Sequence, residues 1–116
     1  MALWLTAVAI VAVGELLPAD SAPIRVLGSV GFSDKALHFC AYVALAAIPA
    51  VSFYPLTGVL LALSMILLGV ALEFVQKLVP GRGFEVADMV ANTLGTFAGI
   101  AAGLAARLAW RCVPGR

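Results

Sequence analysis

Three runs in this chain carry side chains whose types and spacing could do chemistry together. Asp34, His38 and Tyr42 recur every four residues, Glu73 and Gln76 stand three apart, and Asp88, Asn92 and Gly95 follow at i, i+4 and i+7. On helices, each run falls on a single face. Carboxylates beside a histidine suit proton transfer or a hydrogen-bonded network, while the cations Lys35 and Arg82 suit an anion such as a phosphate. The amides of Gln76 and Asn92 add both donors and acceptors.

The elements that must position these runs are strongly apolar. Of 116 residues, 64% are hydrophobic and only 11% charged, and whole segments of about 20 residues, the length that crosses ~30 Å of hydrocarbon, carry almost no charge. The reading is all-α: an integral membrane four-helix bundle forming a single domain over 1–116, with helices at 2–17, 34–53, 55–79 and 85–110. The first helix is closed by Glu15 and Pro18. Its length and the small residues 18–22 also fit a cleaved signal peptide, but no Lys or Arg precedes the apolar run, so a retained helix is expected. Residues 18–33 read as a loop whose Val26, Leu27, Val30 and Phe32 lie at the interface. Ser33 is the expected N-cap of the second helix, where Asp34 suits the helix dipole, and Pro55 opens the third. Pro80 and Gly81 end the third helix.

Four crossings would place both termini on one side, with Trp4, Phe53, Tyr54 and Trp110 at the headgroup level. The opposite face then receives the ionisable and amide side chains of all three runs. Gly95, Gly99 and Gly103 permit close backbone approach, which makes the fourth helix the central one. Cys40 and Cys112 fall near opposite faces, so no disulfide is expected between them, and both read as small apolar fillers. A net charge of +1 offers no basic footprint, and nucleic acid is not expected as a partner.

The pattern Asp34-Lys35-x-x-His38-Phe39-x-x-Tyr42, then Glu73-x-x-Gln76, then Pro80-Gly81-Arg82 followed by Asp88-x-x-x-Asn92-x-x-Gly95 resembles the VanZ-like family of membrane proteins. The resemblance covers about residues 34–99, with the blocks in family order and spacing. It implies kinship with an accessory protein that raises resistance to the glycopeptide teicoplanin, in a family widespread in bacteria. No molecular activity comes with it beyond a hint that the site meets the cell envelope.

Asp34, Lys35, His38, Tyr42, Glu73, Gln76, Arg82, Asp88 and Asn92 are therefore the candidate binding residues. The leading reading is a polar interfacial site for an envelope component, a lipid headgroup or a lipid-linked precursor, with Lys35 and Arg82 as anion contacts. A purely structural network, with Glu73, Asp88 and Arg82 neutralising one another, fits the same residues. A headgroup-processing enzyme with His38 as acid or base is one rival, and a proton path is another, but no nucleophile motif or internal repeat supports either. No cofactor is expected. No metal is either: His38 with Glu73 and Asp88 supplies one histidine and no closely spaced ligand pair. The cell membrane is the expected location. Arg107, Arg111 and Arg116, bunched at one helix end, place the termini in the cytoplasm, although Arg25, Lys35, Lys77 and Arg82 lie on the other side.

Overall fold

A computed structural model describes residues 1–112. The chain folds into α1 (Ala2–Glu15), α2 (Ala22–Ser29), α3 (Asp34–Ser52), α4 (Pro55–Gln76) and α5 (Val86–Arg111), with no strand among the described residues. The four expected helices correspond to α1, α3, α4 and α5. Ser33 does cap α3, its hydroxyl accepting from the Ala36 N–H at 3.2 Å. Pro55 opens α4, and Gly81 at φ +74° turns the chain toward α5, a backbone conformation that favours glycine.

The stretch 18–33 is not wholly a loop, since α2 forms within it. Ser21 is extended at the N-cap, and Pro23 sits in the first turn, where its missing N–H costs nothing and its fixed φ suits the helix. Pro23 thus starts a helix inside the stretch that read as a loop.

Among the described residues, only α3, α4 and α5 are long and apolar enough to cross a membrane. The 14 residues of α1 rise about 21 Å, short of ~30 Å of hydrocarbon. Large apolar side chains point outward: Leu3, Ile10, Leu56, Leu67, Leu94 and Phe97 are all exposed, while Ala46, Ala50, Ala62 and Thr96 are fully buried. This arrangement suits a lipid surround, in which helices associate through small residues and polar contacts and have no apolar surface to hide from water.

The helix at the centre is α3 and not α5: α3 and α4 both meet α1, α5 packs mainly on the other two long helices, and α3 makes the most extensive packing of all. The α5 glycines do seat one helix on another, as their spacing implies. A methyl group added at Gly95 would stand 2.4 Å from the Phe39 carbonyl oxygen, and one at Gly99 2.3 Å from that of Val43. The paired positions climb together along both chains, so α3 and α5 run parallel. Gly58 meets Pro49 and Gly69 meets Tyr42, so α4 runs antiparallel to α3.

Trp4 does not share the exposure of Tyr54 and Trp110; it is buried against α3, beside Leu45. The cause is Pro49, inside α3, which has no N–H to give to the carbonyl four residues before it. That carbonyl belongs to Leu45, and the Trp4 indole N–H donates to it at 2.9 Å. Cys40 and Cys112 are free and exposed, so neither fills the core. Arg107 donates to the Phe53 carbonyl at the end of α3, and Arg111 lies in the last turn of α5, where a cation complements the dipole. Arg116 falls outside the described residues.

Candidate functional site

The polar side chains meet where α3 and α5 begin and α1 and α4 end. On α3, the four-residue spacing carries Asp34, His38 and Tyr42 down one face, from half-exposed Asp34 to fully buried Tyr42. His38 lies between the other helices. Its Nδ1 is 2.9 Å from Asn92 Oδ1 and 3.5 Å from Glu15 Oε1, and its Nε2 is 3.8 Å from one oxygen of Asp34 and one of Asp88. With Nδ1 donating to Asn92 Oδ1, Nε2 is the ring nitrogen that faces the two carboxylates.

The cations are committed to acids. Lys35 Nζ donates to Glu85 at 2.7 Å and stands 3.5 Å from Asp88. Lys35 thereby holds the exposed Glu85 carboxyl below the usual carboxylate range, chiefly through the hydrogen bond. Arg82 donates from Nη1 to both oxygens of Asp34 at 3.2 Å and from Nε to the Leu17 carbonyl. Its Nη2 has no hydrogen-bond partner among the described residues.

Glu73 does not pair with Arg82. Its carboxylate accepts the Glu85 backbone N–H at 2.6 Å and so caps the start of α5, where the helix dipole favours negative charge. Gln76 donates to the Glu15 carbonyl at 2.8 Å, tying α4 to the end of α1. Gly69 leaves the space that Asn92 and Tyr42 fill: a methyl there would lie 2.9 Å from Asn92 Nδ2 and 3.0 Å from the Tyr42 hydroxyl. All nine candidate residues thus stand in one connected cluster.

Two further acids belong to it. Glu85 forms the outer ion pair. Glu15 is buried at the end of α1, its carboxylate 3.5 Å from the Tyr42 hydroxyl. The available signal was a lone acid closing an otherwise apolar helix, since an ionisable group beside hydrocarbon demands a partner. Glu15 Oε1, Asp88 Oδ1 and Asn92 Nδ2 are buried without a hydrogen-bond partner. The cluster therefore has unused capacity for a polar ligand.

Two cavities adjoin it. One, of about 180 Å³, has apolar walls of Val11, Ile24, Leu27, Leu37 and Ala41, with Glu15, Asp34, His38 and Arg82 also in its lining. The second, of about 120 Å³ and more polar, is bounded by Asp34, Gln76, Arg82, Glu85 and Asp88. Asp34 and Arg82 line both.

No curated protein and no solved structure matches the chain significantly. The profile of the VanZ/LLP1 family does match, over residues 7–107, a span that holds every residue of the cluster and all of α2, α3 and α4. With that match running through the three motif runs and the helices that carry them, the chain belongs to the VanZ/LLP1 family.

Proposed function

We propose that this chain is a multi-pass protein of the bacterial cell membrane that holds the headgroup of an envelope lipid, or of a lipid-linked precursor, at the cluster around His38. The observation that carries the reading is the 180 Å³ cavity, which joins an apolar wall to a charged lining, as a lipid joins its chain to its headgroup. Arg82 supplies the anion contact through its free Nη2, and half-exposed Lys35 swings from Glu85 to reach a phosphate. In this reading α3, α4 and α5 cross the bilayer and α1 lies beside them as a shorter fourth helix, running from the terminus side to the cluster. The termini face the cytoplasm, where Arg107 and Arg111 meet anionic lipid. A lipid-linked wall precursor as ligand would connect the site with teicoplanin tolerance.

Lipid extraction of the detergent-purified protein tests the proposal. Expected is an anionic lipid retained near one per chain and lost in Arg82→Gln, with the cavity variant Leu27→Trp also depleted. A preparation whose lipids merely mirror the bulk membrane, equally in all three proteins, would sink it.

A further inference from the structure

The cluster is over-supplied with negative charge. It gathers every acid of the chain except Asp20, namely Glu15, Asp34, Glu73, Glu85 and Asp88, against Lys35 and Arg82 as its only fixed cations among the described residues. Buried carboxylates without counter-charge are costly, so a further positive charge is called for. The geometry says where. Asp34, His38 and Asp88 each present one ligand atom, all within 4.8 Å of one another, so a common point lies no more than about 2.8 Å from all three. A small inward turn of half-exposed Asp34 brings this to the ~2.1–2.6 Å of a hard divalent cation.

Other observations point to a ligand there. Asp88 is 3% exposed and turns Oδ2 to within 3.8 Å of His38 Nε2, while its Oδ1, which has no hydrogen-bond partner, meets Lys35 at 3.5 Å. The His38 ring is held by Asn92 through Nδ1, the outer-sphere bond that turns the other nitrogen's lone pair toward a metal. The more polar cavity is bounded by both Asp34 and Asp88, which leaves room for the remaining positions around an ion. Arg82 approaches Asp34 through one nitrogen only, and a carboxylate has lone pairs left to share.

We propose that Asp34, His38 Nε2 and Asp88 bind one divalent cation of oxygen-preferring type. Two carboxylate oxygens and a single imidazole favour manganese, magnesium or calcium over softer ions. The site goes beyond the lipid reading and does not depend on it, because an ion binds with no lipid added.

Manganese is the probe, titrated into the full-length protein in neutral detergent and followed by electron paramagnetic resonance. Expected is saturable binding of one equivalent, competed by calcium or magnesium, with a spin-echo modulation from one imidazole nitrogen that vanishes in His38→Gln. Asp88→Asn and the surface variant Asp34→Asn should each weaken binding at least ~10-fold. Lys77→Gln, whose ammonium lies over the Phe74 and Phe84 rings, should bind as the parent does. Asp34→Asn lies at the protein surface and guards against a loss that merely reports misfolding. No saturable binding by the parent chain into the millimolar range overturns the site, as does unchanged affinity in Asp34→Asn. Charge balanced within the cluster by a bound proton instead gives that negative result.

Discussion

Arg82 binds Asp34 from the loop between α4 and α5, and Glu73 has a backbone N–H instead, so partner choice at this cluster is measurable residue by residue. In a double-mutant cycle of Arg82→Gln with Asp34→Asn, followed by unfolding in detergent, a coupling of about 0.5–1 kcal/mol is expected, limited by solvent around half-exposed Asp34. The cycle with Glu73→Gln should show less; a larger coupling there would contradict the geometry. Glu85 gives a pH test. Its folded carboxyl lies below its unfolded value, so the stabilising effect of the Lys35 contact is complete above the ordinary carboxylate range and is lost as pH falls through the folded value. Lys35→Gln should flatten that acid limb, and an identical acid limb in both proteins would show the pair contributes nothing. Spacing alone brought Asp34, His38, Tyr42, Asp88 and Asn92 together, because helical periodicity fixes which residues share a face. It could not assign Arg82 to Asp34 over Glu73, since that depends on how a loop folds across helix ends. Glu15 was read only as the close of its helix and not as part of the site, because a single acid has no period.

At the scale of elements, the glycines of α5 and α1 should respond in opposite ways to the same added methyl. Gly99→Ala forces a contact 2.3 Å from the Val43 carbonyl and should destabilise by about 1–3 kcal/mol as α3 and α5 are pushed apart. Gly14 in α1 faces open space, and Gly14→Ala should stabilise by about 0.5–1 kcal/mol through helix propensity. Thermal unfolding in detergent reads both; equal effects would mean that the close α3–α5 approach is absent. The long helices were legible because Ser33, Pro55 and the Pro80-Gly81 turn punctuate apolar runs at physically meaningful positions. The short α2 was not, since Pro23 and Gly28 carry the same signal in a turn as in a brief interfacial helix. Nor did glycine spacing reveal that α3 is central, because a close approach names two partners without saying which one meets the rest.

The whole molecule turns its large apolar side chains outward, and the proposed membrane setting follows from that surface. The chain should stay in the pellet after alkaline carbonate washing and be released only by detergent; recovery in the wash would refute the setting. In a Cys40→Ser background, a membrane-impermeant thiol reagent applied to intact cells should leave exposed Cys112 unlabelled, and labelling would reverse the proposed orientation. The bond between Trp4 and the carbonyl freed by Pro49 also dictates an order of events. During synthesis α1 emerges before α3, when the acceptor for its indole and the Tyr42 and His38 neighbours of Glu15 do not yet exist. A helix of 14 residues with an unpartnered acid at its end does not enter the hydrocarbon by itself. It is expected to be seated only after α3 has been laid down, so an element made earlier takes its place later, and Glu15 reaches the cluster with it.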